Sequence, residues 1–168
     1  MQVFLIRHPR PLIEPGICYG RCDVDAELPG VAAARIRPHL PAGVPVFSSP
    51  LRRARQLAEA LDPAVRVDGR LSEIDFGEWE GRPWSRIDRQ ALDAWAADVL
   101  NFVPPGGESV AQLRDRAVSF AASLSGEHVA IVAHAGILRA LVGHWLHLPV
   151  AEWTQMKFDF GSITTLRV

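Results

Sequence analysis

The stretch Gln2-Val-Phe-Leu-Ile-Arg7-His8-Pro9 constrains this chain more than any other part of it. Val3, Phe4, Leu5 and Ile6 read as a strand buried on both faces, which, with helical patterns downstream, implies a parallel α/β sheet. The apolar run then stops abruptly at an arginine and a histidine. In open parallel sheets the ligand crevice lies beyond the carboxyl ends of the strands, so Arg7 and His8 stand where reactive side chains are expected.

The same pattern recurs twice. Val44-Pro-Val-Phe47 reads as a second strand that runs into Ser48-Ser49-Pro50, and Val129–Ala133 as another fully buried strand that delivers His134-Ala135-Gly136. A helix from about Ile137 to His147 follows. His134 and Ala135 therefore lie at a helix amino terminus, where free N–H groups and the helix dipole favour an anion.

Between these strands the periodicity predicts helices over about 30–40, 51–61 and 109–123. The second carries apolar residues at 51, 54, 57, 58 and 61, with Ser49 as a plausible N-cap and Pro50 at its first position. Arg52 points away from that stripe, whereas Arg53 and Arg55 flank it, and Arg53 lies nearer the helix amino end facing the crevice, which makes Arg53 the candidate anion ligand. Ser109 and Gln112 fit a capping box. Val65–Val67 reads as a short strand, and Leu71–Gly81 as an irregular, half-buried segment carrying Glu73, Asp75, Glu78 and Glu80. Residues 84–100 read as a helical excursion anchored by Trp84, Ile87, Leu92, Trp95 and Leu100. The tail, Met156–Phe160 and Ser162–Val168, reads as two strands paired around Gly161.

Residues 9–30 contain four prolines and three glycines, too many breakers for a helix or central strand. A loop of this length leaving directly from Arg7-His8 is expected to wall a pocket, and Tyr19 and Arg21 lie in it. Nothing resembling a linker divides the 168 residues, so the reading is one domain, 1–168. A formal net charge of −1 points away from nucleic acid and from anionic membrane surfaces. No apolar run approaches a membrane span and no leader pattern opens the chain, which together suggest the cytoplasm. Cys18 and Cys22 read as ordinary thiols, because a structural metal would ask for four ligands. His144 and His147 are read as structural residues near a helix end. The reading therefore includes no metal and no cofactor, and it leaves a homodimer open.

Collecting strand ends and helix starts on one sheet edge gives Arg7, His8, Arg53, Glu73 and His134. This combination suits phosphoryl transfer without metal: arginine forks bind the nonbridging oxygens while a neutral imidazole nitrogen attacks phosphorus in line. A nucleophilic histidine needs one nitrogen unprotonated and the other held. A carboxylic acid must protonate the leaving alkoxide and can later, as carboxylate, activate the water that releases phosphate.

These residues carry a family resemblance. Arg7-His8-Pro9 resembles the arginine-histidine-glycine signature of the histidine phosphatase superfamily, whose fold is phosphoglycerate mutase-like. Ser49-Pro-Leu-Arg-Arg53-Ala-Arg-Gln resembles its second arginine motif, Leu71–Gly81 its proton-donor segment, and Ala133-His134-Ala-Gly-Ile-Leu-Arg139 its second histidine, all in family order. The resemblance implies a three-layer α/β/α architecture with a mixed, mainly parallel sheet. It implies His8 as nucleophile, Glu73 as general acid and then base, and Arg7, Arg53 and His134, with Ala135 at the helix start, as the phosphate pocket. It selects Glu73 over Asp75, Glu78 and Glu80.

Residues 7–11, 16–23 and 104–109 look most like the α-ribazole-5′-phosphate phosphatase branch of cobalamin synthesis. The sequence departs from the family at Pro9, where glycine is common, at Leu57 and Cys22, where threonine is frequent, and between Pro11 and Pro15, where many members carry a phosphate-binding asparagine. Arg21 is the candidate substitute for that asparagine. Tyr19 and Trp84 are the aromatics expected to meet a substrate base.

The reading is thus a phosphomonoesterase using a phosphohistidine on a small phosphate ester, with α-ribazole 5′-phosphate the expected substrate. Its rivals are a phosphoglycerate mutase, a broad sugar-phosphate phosphatase and a non-catalytic binder of phosphate compounds. The absence of room for the mutases' insertion favours hydrolysis.

Overall fold

The computed structural model describes residues 1–168. Strands β1 (Gln2–Arg7), β2 (Val46–Ser48), β3 (Arg66–Val67), β4 (His128–Ala133) and β5 (Ile163–Arg167) form one sheet in the order β3-β2-β4-β1-β5. All neighbours are parallel except β5, which runs antiparallel to β1 at the edge. The helices are α1 (Pro29–Ile36), α2 (Arg52–Leu61), α3 (Arg89–Ala97), α4 (Val110–Ala121), α5 (Ala135–Trp145) and α6 (Val150–Trp153).

Alternation along the two central strands explains the three layers. Val3 and Leu5 of β1, with Val129, Ile131 and Ala133 of β4, pack into one core with α4 and α5. Phe4 and Ile6, with Ala130 and Val132, pack into the other with α1 and α2. Successive side chains of a strand leave opposite faces, so an unbroken apolar run is what a sheet covered on both sides requires. No helix is long and apolar enough to cross a membrane.

The capping box forms as expected: the Ser109 hydroxyl accepts from the Gln112 amide and the Gln112 side chain accepts from the Ser109 amide. Two local expectations are corrected. Ser49 is not the cap of α2, which starts at Arg52 after an extended Leu51; the Arg52 amide donates instead to Asp23 of the long loop at 2.7 Å. Only one strand forms in the tail. Residues 156–160 stay out of the sheet because their carbonyls are claimed by side chains: Arg139 Nε donates to Met156 O at 2.7 Å, and an Arg7 Nη to Phe158 O at 2.6 Å.

With β4 lying between β2 and β1, the carboxyl ends of three strands meet. Residues far apart in the chain, 7–8, 48–49 and 133–134, arrive at one edge of the sheet.

Candidate active site

His8 continues the β1 backbone, its amide donating to Ala133 O at 3.1 Å, and its side chain is 2% exposed. Burial, reinforced by the positive charges of Arg53 and Arg7, pushes its pKa down to about 3 against the opposing pull of the Pro9 carbonyl. The ring is therefore neutral at ordinary pH. Its Nδ1 lies 2.6 Å from Pro9 O, so the single ring proton sits on Nδ1 and Nε2 keeps its lone pair. Any residue at position 9 supplies that carbonyl, so replacement of the usual glycine by proline leaves the arrangement intact.

Arg7 and Arg53 flank this ring. The Arg7 guanidinium carbon sits 3.7 Å from the centre of the Phe160 ring, itself 5.5 Å from the His8 ring. Arg53, on the first turn of α2, is 1% exposed. A buried guanidinium costs several kcal/mol unless its donors are met, and two of them reach Gly20 O at 2.6 Å and Cys22 O at 2.7 Å. Loop 9–30 is thereby clamped over the site. Burial lowers the pKa of both arginines, an effect opposed by the neighbouring Tyr19 and Glu73 at Arg7 and chiefly by Glu73 at Arg53.

His134 is fully buried, its ring centre 5.0 Å from that of His8. Its Nε2 lies 2.8 Å from Ser49 Oγ. Burial, then the proximity of the His8 ring and of the Arg53 guanidinium, holds its pKa well below the usual histidine range. Four buried side-chain nitrogens in the protein lack a partner: Arg7 Nε, Arg53 Nε, His134 Nδ1 and His128 Nδ1. Three of the four belong to this cluster. Buried polar groups are otherwise almost always paired, so donors gathered beside His8 describe an anion site.

Glu73 closes the other side. Its Oε1 accepts from the Ile74 amide at 2.9 Å and its Oε2 from the Gly136 amide at 3.2 Å, in the first turn of α5. The competing carboxylates are occupied elsewhere. Glu80 accepts from the Arg21 and Phe76 amides, Asp75 from the Gly77 amide, and Glu78 is exposed. Ala135 lies beside Glu73 at the start of α5.

The structure does not bring Arg21 into this cluster. Its guanidinium is taken up by the Glu73 carbonyl, Asp75 and Glu108, behind the Glu73 side chain. Tyr19 does reach the cluster. Its hydroxyl lies next to Arg7, its ring 5.2 Å from the Arg53 guanidinium carbon, and burial raises its pKa. Arg116 escaped the sequence reading because it follows no strand end or helix start that faces the crevice, and the carbonyls it serves are remote in the chain. It donates to the carbonyls of Arg70, Ser72 and Glu73 and pairs with Glu108 at 2.6 Å, holding the Glu73 segment in place.

A cavity of about 430 Å³ opens beside Glu73, lined by Tyr19, Phe76, Trp84, Trp95, Trp153 and Arg139 among others. Trp84 and Trp95 stack at 5.7 Å, and Phe76 meets both edge-on. Cys18 and Cys22 are free thiols, burial pushing their pKa up to about 12 and about 11.

Residues 3–168 match the sequence profile of the histidine phosphatase superfamily (branch 1). The chain belongs to this superfamily. The histidine phosphatase is 34% identical, over 99% of its own length and 89% of the relative's, to a protein of Hydrogenobacter thermophilus provisionally named phosphoserine phosphatase 2. It is 27% identical, over 100% and 91% of the two chains, to the adenosylcobalamin/α-ribazole phosphatase of Salmonella typhimurium. The solved structure of a mycobacterial glucosyl-3-phosphoglycerate phosphatase superposes with a TM-score of 0.83 at 28% identity, covering 98% of this chain and 88% of that one. The mainly parallel, helix-covered sheet of this histidine phosphatase is thus the architecture of its relatives.

Proposed function

We propose that this histidine phosphatase is a metal-independent phosphomonoesterase acting through phospho-His8, with α-ribazole 5′-phosphate as its substrate. The observation that carries the reading is the set of unpartnered buried nitrogens of Arg7, Arg53 and His134 around a neutral His8.

In the first step His8 Nε2 attacks phosphorus, the bond from phosphorus to the leaving oxygen breaks, and Glu73 as the acid protonates the departing alkoxide. Arg7, Arg53 and His134 receive the charge that spreads over the three equatorial oxygens. In the second step water attacks phosphorus, its proton passes to the Glu73 carboxylate, and the bond to His8 breaks with release of phosphate. Ala135, at the amino end of α5, contributes its amide to the pocket.

The aromatic wall of the cavity supports a leaving group with a planar base, with Trp84 and Tyr19 as its contacts. The α-ribazole phosphatase relative is named for such a substrate. Arg139, which lines the same cavity, favours a second reading in which the leaving group carries a carboxylate, as phosphoserine does. We place the reaction in the cytoplasm, where thiols such as Cys18 and Cys22 stay reduced.

Turnover of p-nitrophenyl phosphate in the presence of chelator, with an acid-labile, alkali-stable phosphoenzyme that His8→Ala abolishes, is the expected result. Activity retained in His8→Ala would overturn the mechanism. On a substrate panel, Trp84→Ala should raise KM about tenfold for α-ribazole 5′-phosphate, the effect of a lost stacking contact. A higher kcat/KM for phosphoserine would favour the second reading.

A further inference from the structure

Ser49 is fully buried, yet it neither caps α2 nor touches the cavity. Its hydroxyl oxygen has two neighbours. The Leu51 amide donates to it at 3.2 Å, and His134 Nε2 lies 2.8 Å away. No third group stands within hydrogen-bond reach, so proton counting decides the direction of the second bond.

If Nε2 carried the ring proton, Ser49 Oγ would accept twice. Its own hydroxyl hydrogen would then be left buried without an acceptor, at a cost of about 1–3 kcal/mol by the usual penalty for an unsatisfied buried group. Nδ1 would also be a bare lone pair. If the hydroxyl donates to Nε2, the Leu51 amide, the hydroxyl and Nε2 are all satisfied. The one ring proton then sits on Nδ1, the nitrogen that has no partner within the protein.

We infer that Ser49 is a positioning residue that sets the tautomer of His134, so that this ring offers Nδ1–H to a phosphoryl oxygen. The inference rests on the proposed phosphatase reading for its purpose. A neutral imidazole donates only from the nitrogen that holds its proton, and in the other tautomer it would turn a lone pair towards the substrate's negative oxygens. Burial beside Arg53 and Arg7 keeps His134 uncharged, so it cannot escape this choice by taking a second proton.

The test reads the resting protein first. Long-range 1H–15N spectra of the histidine-labelled wild type should show His134 as the Nδ1–H tautomer. Ser49→Ala should move it to the Nε2–H form or to a mixture. With p-nitrophenyl phosphate, Ser49→Ala should lose about 10- to 100-fold in kcat/KM, at or below the effect of removing one anion-stabilising donor. Ser49→Thr, which keeps the hydroxyl, should recover most of it. An Nε2–H tautomer in the wild type overturns the inference, as does a Ser49→Ala enzyme within about twofold of wild type in kcat/KM. Should Ser49→Ala fail to fold, the wild-type spectrum alone decides. Failure of the phosphatase reading would instead appear as wild-type protein that forms no phosphoenzyme, whatever tautomer His134 adopts.

Discussion

The amide of Gly136 and the carboxylate of Glu73 are in direct contact, with the N–H donating to Oε2 at 3.2 Å and no room between the two residues for a methyl group. A Cβ at position 136 would overlap Glu73 Oε1 and come within 3.3 Å of Leu113 Cδ1. The glycine is therefore required by the close approach of a carboxylate to the first turn of a helix.

Gly136→Ala should separate stability from catalysis. Alanine gains about 1 kcal/mol of helix propensity over glycine, offsetting much of the local crowding, so the melting temperature should move by only a few degrees. The Glu73 carboxylate, in contrast, must leave its place. With p-nitrophenyl phosphate, whose leaving group departs without an acid, phosphorylation of His8 should persist while steady-state turnover falls about 10²-fold. Rapid-quench measurement should show phosphoenzyme accumulating. Wild-type steady-state turnover in this variant would remove Glu73 from the mechanism.

Arg53→Lys keeps the charge and loses the fork. Two donors of the guanidinium hold Gly20 O and Cys22 O, and a lysine ammonium on a different stem cannot reproduce both bonds. One carbonyl left unpaired in a buried place costs about 1–3 kcal/mol, so the unfolding midpoint should fall accordingly. Because the same residue clamps loop 9–30 over His8, kcat/KM should fall at least about 100-fold. Chemical denaturation and steady-state kinetics check the two effects separately, and an enzyme unchanged in both would contradict the clamp.

Acid should destabilise the fold through the histidines. His8 is neutral in the native state down to about pH 3, whereas in the unfolded chain it titrates at its ordinary value of 6.5. Between those values the unfolded chain binds a proton that the native protein refuses, so stability falls as pH falls. The slope is about 1.4 kcal/mol per pH unit for one fully shifted group, and the stabilisation is fully present above pH ~6.5. His134, lowered by burial and then by its charged neighbours, adds in the same direction. Urea midpoints at pH 7, 6 and 5 should show this loss, and His8→Asn should flatten it. In the wild type the His8 ring proton resonance should not titrate between pH 5 and 8; a midpoint near 6.5 would refute the argument.

Much of the site was legible in the sequence because the chemistry stands at strand ends. Arg7-His8 and His134 each follow a run that only a doubly covered strand explains, and Arg53 falls on the crevice side of an amphipathic helix. The tail was misread because Met156–Phe160 has the composition of a strand, while its carbonyls are used by Arg7 and Arg139, partners remote in the chain. Ser49 reads as a cap for the same reason: a serine just ahead of an amphipathic helix is a local signal, and its bond to His134 is not. Arg21 looked like a phosphate ligand by its position in the loop, yet the Glu73 backbone carbonyl and the Asp75 and Glu108 carboxylates hold it.

By itself the sequence determined which segments are buried and where they end, since apolar periodicity and turn chemistry act over a few residues. Only the tertiary structure decided the order β3-β2-β4-β1-β5, which inserts β4 between β2 and β1 and sets His134 between His8 and Ser49. It also brought Glu73, the acid that the resemblance selects, against the amino end of α5. Strand pairing and ion pairing over tens of residues depend on how the whole chain closes, and no local pattern encodes that.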